Sequence, residues 1–403
     1  MPNINTSNRI VIIDALRGFS LAGIVIVHMV ENYAGAPVPE GAMEAARLGL
    51  PDYIVDGFIF LFLRGKFFAL FSFLFGLSFF IQMDSANKRG QDFKFRFLWR
   101  LVLLFGIGYV HHLFYRGDIL TIYAVLGLFL IPFYKIPAKY VLTIAGLLFL
   151  GLGRYIVFAF SGGDNLFMEG EFSPSSPEIV AYYETIKNGS LWEVFKSNAT
   201  EGQLMKMDFQ LGIFSRGYLT YAFFLMGLIV GRMQFFKNFL EQRKLTLKVM
   251  WWSLGIFVVS IGLTAMIFAP MGPNVTFDNW RTMVGLTALD LNNLGMTGII
   301  LAGFVLLYHK AKASKLLSGF APYGRMALTN YVTQSLIGTF ILYGWGLGYL
   351  GELRNVYTFI MAILLIALQM LASRYWLKRY YYGPLEWLWR SLTHTKIYPL
   401  LRK

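Results

Sequence analysis

Residues 12–33 read IIDALRGFSLAGIVIVHMVENY, and this stretch decides how the rest of the chain is read. It is long and apolar enough to cross a bilayer, yet it carries Asp14, Arg17 and His28. A charge at the centre of a membrane helix costs from about 2.5 kcal/mol upward, so charges placed there are paired or functional. Ten residues separate Arg17 from His28. That spacing is nearly three helical turns and leaves the two on one face about 16 Å apart. Asp14 lies one turn before Arg17 on the same side and can neutralise it. The resulting polar stripe predicts a buried site reached from both sides of a membrane.

The composition sets the class. Of 403 residues, 56% are hydrophobic, 17% aromatic and 14% charged, whereas a soluble domain carries about 25% charged residues. The expected fold is therefore all-α, a polytopic membrane protein. A net charge of +14 would suggest a nucleic-acid partner, but the basic residues fall in alternate loops, as positive-inside topology requires. No nucleic-acid partner is expected. The absence of cysteine rules out disulfides, iron–sulfur clusters and a thiolate nucleophile. Ala34-Gly35-Ala36 mimics a signal-peptidase site, but Pro37 follows it and the apolar run before it is too long for a signal peptide. The first helix is read as retained.

Spanning segments of roughly 20 residues are drawn at 10–32, 65–83, 97–115, 117–134, 139–160, 212–235, 248–269, 290–308, 323–348 and 355–376. The whole chain thus forms a single transmembrane domain of about ten transmembrane helices. Counting Arg9, the connections after the even-numbered segments and the chain's end from Arg374 onward, with its tail over 377–403, 24 of the 36 basic residues fall on one side. This bias predicts a plasma-membrane protein with both termini cytoplasmic. The opposite loops are acidic. The largest, 161–210, holds eight acids and only Lys187, Lys196 and Lys206. Loops of this length are functional or disordered, and its apolar periodicity favours an extracytoplasmic helical cap. Residues 53–63, YIVDGFIFLFL, are too short to span alone and read as an interfacial or re-entrant piece.

Several side chains could carry chemistry. His28 near the outer end of the first helix suits a general base, although a satisfied interfacial histidine would look the same. Arg17 could hold a phosphate or carboxylate, or serve as the structural partner of Asp14. The segment HHLFYRGDILTIYA, 111–124, brings His111, His112, Arg116 and Asp118 to the same outer face. Asp118 could orient a histidine as a triad carboxylate does; the plainer reading is an Arg116–Asp118 turn. No metal is expected, because adjacent histidines point about 100° apart and no HxxxH spacing occurs. Lys66 is a charge at a membrane boundary that could bind an anion or snorkel. In GRMALTNYVTQS, 324–335, Arg325 could meet an anionic ligand, while Asn330 and Gln334 form an interhelical polar rung. Gly227-Leu-Ile-Val-Gly231 reads as a helix-packing motif.

Taken in order, IDALRGFSLAGI, GKFFALFSFLFG, GDILTIYAVLG, GRMALTNYVTQS and GPLEWLWRSLT make the chain resemble the YeiB-like family (domain of unknown function 418) over nearly its whole length. That family looks related to membrane acyltransferases, among them the family 3 sugar O-acyltransferases and the lysosomal heparan-glucosaminide N-acetyltransferase. Family 3 enzymes share an Arg-x10-His pattern in their first helix, which Arg17 and His28 match. The resemblance implies acyl transfer, acetyl first, from cytoplasmic acyl-CoA (acetyl-CoA) to an extracytoplasmic glycan or small-molecule hydroxyl or amine. His28 would then deprotonate the acceptor. Arg17, with Lys66 or Arg325, would hold the donor, and Asp118 and Arg116 would position base or acceptor. The alternatives are a transporter or flippase whose path is lined by the stripe, and a non-catalytic membrane scaffold.

With no native thiol to interfere, single cysteines at positions 91, 185 and 240 test the topology. Only position 185 is expected to react with an impermeant maleimide from outside; external labelling at 91 or 240 and none at 185 would overturn it.

Overall fold

A computed structural model describes residues 10–35, 37–90, 93–170, 173–272 and 275–402. Arg9, Ala36, Glu171, Lys403 and the labelling position 91 lie outside the described residues. The chain is about three-quarters helical, and the described residues contain no strand beyond one isolated bridge, Tyr380 to Leu401.

The first helix, α1 (Val11–Val30), is followed by α2 (Glu40–Ala45) and α3 (Leu50–Phe58). A π-helical turn, Ile59–Leu63, then leads into α4 (Phe67–Asn87), α5 (Lys94–Phe114) and α6 (Leu120–Phe133). Next come α7 (Ala138–Phe149) and α8 (Leu152–Ser161), then α9 (Pro177–Asn188), α10 (Leu191–Ala199) and α11 (Glu201–Leu211). Three long helices follow: α12 (Arg216–Arg232), α13 (Arg243–Phe268) and α14 (Trp280–Tyr308). The chain finishes with α15 (Ala311–Leu317), α16 (Ala321–Arg325), α17 (Ala327–Leu342), α18 (Asn355–Arg379) and α19 (Pro384–Thr393).

Each of the ten segments drawn from hydropathy coincides with helix, but fewer are long, straight and apolar enough to cross a bilayer. Among the described residues six pass that test, and the total is up to eight if each of two bent pairs is one span: α7 with α8, bent by 51°, and α11 with α12, bent by 56°. The chain is a multi-pass membrane protein. Hydropathy windows count apolar residues and do not register backbone breaks. Gly151 at φ +83° separates α7 from α8, and Ser215 at φ +55° starts α12 after its own break. Helix α6 has 14 residues, a rise of about 21 Å against a hydrocarbon core of about 30 Å. The ninth segment is split at Met326 into α16 and α17.

Helix α1 lies at the centre of the bundle and α13 at its edge. Two-thirds of the apolar window of α1 is buried, but only 11% of that of α13, whose Trp251, Trp252, Val258 and Val259 face outward. The packing motif of α12 works by close backbone approach. A Cβ at Gly227 would lie 2.0 Å from the Phe73 carbonyl oxygen, and one at Gly76 1.9 Å from that of Phe224.

The tail is not free. Glu386 in α19 accepts the N–H groups of Leu328 (2.7 Å) and Thr329 (3.1 Å) and the Thr329 hydroxyl (2.6 Å), so it caps the exposed donors at the start of α17. Trp389 donates to the Arg100 carbonyl at 2.9 Å and Trp99 to that of Leu392 at 3.1 Å, fixing α19 along α5.

Replacing Gly227 with leucine should therefore separate α4 from α12 and lower the melting temperature sharply. Gly255→Ala on α13, where nothing lies within 4 Å, should leave it unchanged or raise it through helix propensity. Equal melting temperatures for Gly227→Leu and wild type would contradict the close crossing.

Candidate functional site

The short turn between α5 and α6 organises one end of the bundle. Asp118 accepts hydrogen bonds from the N–H of Leu120 (3.1 Å), the N–H of Thr121 (2.9 Å) and the Thr121 hydroxyl (2.8 Å), so its carboxylate caps the first turn of α6. The same carboxylate lies 2.8 Å from His111 Nδ1. A carboxylate can only accept, so Nδ1 carries the proton and Nε2 keeps its lone pair. That Nε2 is buried and has no hydrogen-bond partner among the described residues.

Lys206 reaches this turn from α11. Its Nζ lies 2.6 Å from Thr121 Oγ1, 3.5 Å from Asp118 Oδ2 and 3.4 Å from His112 Nδ1. His112 Nε2 donates to the Asn198 carbonyl at 2.8 Å, so the adjacent histidines hold opposite tautomers. Asp118 thus lies, fully buried, between Lys206 and His111.

His28 approaches from α1 through a cluster of rings. Its ring centroid lies 5.1 Å from Tyr115, 5.5 Å from Tyr33 and 6.4 Å from Tyr331. The His111 ring lies 5.0 Å from Tyr331 and 6.2 Å from Tyr115. Tyr115 and Tyr331 thus touch both histidines. His28 Nδ1 is also buried and has no hydrogen-bond partner among the described residues.

Arg116 does not pair with Asp118, contrary to the plain turn reading. Its guanidinium lies 3.6 Å from the centroid of the Tyr182 ring and donates to the Ala34 carbonyl at 3.2 Å. It is 2% exposed and ties α9 to the end of α1. Asn198 is likewise interior, donating to the Leu113 carbonyl and accepting from Tyr182.

From the opposite, basic end a cavity of about 330 Å³ runs into the bundle. Four arginines, Arg17, Arg100, Arg325 and Arg390, line it, along with Glu386, while its walls are Phe71, Leu74, Phe75, Leu101 and Leu104. Arg17 is held by Asp14 at 3.0 Å and Ser78 at 3.1 Å, so the predicted pair within α1 is present. Arg100 stacks on Trp389 at 3.5 Å and Arg390 on Tyr398 at 4.6 Å; Arg325 donates to the Tyr381 carbonyl at 3.4 Å. Tyr123 and Tyr331 also line this cavity, so one tyrosine, Tyr331, touches both the cavity and His111.

Not every candidate residue joins these sites. Lys66 donates to the Phe60 carbonyl at 2.9 Å, twelve residues before Ser78, about 18 Å along α4. It therefore lies away from Arg17 rather than beside it. Asn330 donates to Ser373 on α18 (2.9 Å) and forms an interhelical bond, but Gln334 is not its partner. The Gln334 amide is buried and unbonded among the described residues. Lys206, Arg100 and Tyr331 were missed in the sequence. Their partners lie 85 or more residues away in the chain, and no local spacing signals them.

A family model, "Protein of unknown function (DUF418)", matches residues 230–396, a stretch that includes α17 and the docked α19. An uncharacterized 39.9 kDa protein in the amylase 3'region of Bacillus acidopullulyticus is 30% identical over 100% of this chain and 99% of its own length. The uncharacterized protein YxaH of Bacillus subtilis (strain 168) is 29% identical, covering 99% of this chain and 97% of YxaH. The uncharacterized protein YeiB of Escherichia coli (strain K12) is 25% identical, covering 98% and 99%. The chain belongs to the YeiB-like family, the proteins of unknown function described as DUF418.

Proposed function

We propose that this protein is an acyltransferase of the plasma membrane. It takes an acyl group, acetyl first, from cytoplasmic acyl-CoA and passes it to a hydroxyl or amine on the other side. In this reading the chain crosses the membrane ten times, both termini are cytoplasmic, and α9–α11 form an extracytoplasmic cap. One observation carries the proposal: an apolar cavity lined by four arginines and by Tyr331, whose ring lies 5.0 Å from that of His111, the Nε2 of which has no hydrogen-bond partner among the described residues.

The chemistry follows from these residues. Arg17, Arg100, Arg325 and Arg390 bind the phosphates of CoA through charge-assisted hydrogen bonds, and the apolar walls receive the pantetheine arm. His111 Nε2 takes the proton of the acceptor hydroxyl or amine as its heteroatom bonds to the thioester carbon. When the tetrahedral intermediate collapses, the C–S bond breaks and the CoA sulfur recovers that proton. Asp118 fixes the tautomer that makes His111 a base, the role the sequence suggested for it beside some histidine. His28, across Tyr115, then faces the acceptor as its second polar contact and is not the first base. The closely packed rings of Tyr331, His111 and Tyr115 weigh against an open permeation path of the kind a transporter or flippase needs.

His111→Ala should cut acyl transfer by about 10²–10⁴-fold while acyl-CoA binding stays close to wild type, although the melting temperature falls because Asp118 loses a buried partner. Arg17→Ala should instead weaken acyl-CoA binding by about 1.5–3 kcal/mol, read by calorimetry beside a melting curve. No binding of acyl-CoA to the wild-type protein at millimolar ligand would overturn the proposal.

A further inference from the structure

A second polar centre lies where α4 and α12 begin, beside α14, and the mechanism above makes no use of it. It gathers four cations, Arg64, Lys66, Arg154 and Arg216, around two carboxylates, Glu31 and Asp290. Arg64 pairs with Glu31 at 2.6 Å. Arg154 is almost fully buried; it pairs with Asp290, donates to Thr287 Oγ1 at 2.7 Å and donates to the Ile213 carbonyl at 2.7 Å. Both carboxylates are thereby engaged, and two positive charges are left over.

Those two are Lys66 and Arg216. Lys66 is 4% exposed, and the only hydrogen bond of its ammonium among the described residues is to the Phe60 carbonyl. The Arg216 guanidinium lies flat on Phe68, 3.3 Å from the ring centroid. Its side chain makes no hydrogen bond or ion pair among the described residues, although Asp290 and Glu31 act on it electrostatically. Holding two uncompensated cations inside a membrane protein is costly, and such charges mark a site whose partner is an anion. Ser215, immediately before Arg216, sits at φ +55°, a conformation that non-glycine residues adopt mainly where function requires it. The positive ends of α4 and α12 add to the field at the same point.

The rim identifies the source of the anion. Arg64 has a half-exposed side chain, and Phe58, Phe60 and Phe62 of α3 and the π-helical turn beside it are exposed. A ligand entering here meets the exposed rings first, then the partly buried Arg216 and the buried Lys66. The planar fork of Arg216 suits a phosphate ester. We propose that Arg216 and Lys66 bind the phosphate of a membrane-lipid headgroup that enters past Arg64. Phe68, the residue under Arg216, gives its carbonyl to Tyr123 at 3.3 Å, and Tyr123 lines the arginine-ringed cavity. On the acyltransferase reading, and resting on it in this respect only, the bound headgroup carries the acceptor.

Delipidated full-length protein in detergent, titrated with phosphatidylglycerol and with soluble glycerol phosphate, tests the site through tryptophan fluorescence and thermal melts. Phosphatidylglycerol should bind and raise the melting temperature. Arg216→Gln and Lys66→Gln should each weaken that binding about tenfold or more, and Arg216→Lys should retain part of it. Without lipid, Arg216→Gln should melt at or above the wild-type temperature, because it removes a partly buried charge that has no hydrogen-bonded or ion-pair partner among the described residues; a merely structural arginine would lower it. Equal phosphatidylglycerol affinity in Arg216→Gln and wild type, or no binding to wild type, would overturn the site. Stabilisation by glycerol phosphate equal to that by the lipid would overturn the lipid source. Acyl-CoA titration of the same variants reports on the acyltransferase proposal separately and should be unaffected.

Discussion

The Asp118 carboxylate is the interaction on which the candidate site depends. It closes the turn between α5 and α6 by accepting from Leu120 and Thr121, and it fixes the proton on His111 Nδ1. Lys206 of α11 comes within 3.5 Å of it. A single buried carboxylate therefore joins two membrane helices to the helical layer above them and decides which nitrogen of His111 is available. Removing one partner of such a buried network leaves the others uncompensated, typically at a cost of about 3–5 kcal/mol. The turn, the tautomer and the docking of α11 are linked in consequence.

Tyr331 connects that network to the opposite end of the bundle. It lines the arginine-ringed cavity, packs its ring 5.0 Å from that of His111 and accepts the Ile119 N–H at 3.2 Å. The tail shapes the same cavity from the other direction. Glu386 anchors α19 on α17, and this brings Trp389 and Arg390 to the cavity, with Trp389 stacked under Arg100. The family's tail motif is thus a wall of the cavity, built by capping one helix with the carboxylate of another.

Features set by local spacing were legible in the sequence. The Asp14–Arg17 pair is an i, i+3 contact, the close crossing at Gly227 follows from small residues four apart, and the short turn after α5 implied that Asp118 could meet a histidine. What depended on distant pairing was not legible. Lys206 reads as one lysine in an acidic loop, and only the folding of α11 against the turn brings it to Asp118. Arg116 was read with its neighbour in sequence but stacks on Tyr182, and Lys66 was grouped with Arg17 although α4 carries it to another level. The bends within the spans were not legible for a similar reason: the left-handed residues Gly151 and Ser215 break helices without lowering hydropathy.

The central claim is that a ligand entering among the four arginines reaches His111 past Tyr331. A structure of the protein bound to a non-hydrolysable thioether analogue of acetyl-CoA tests this directly. The account predicts the CoA phosphates against Arg17, Arg100, Arg325 and Arg390, with the acyl end beyond Tyr331 beside His111 Nε2. An analogue bound with its acyl end outside this cavity, or away from His111, would contradict it.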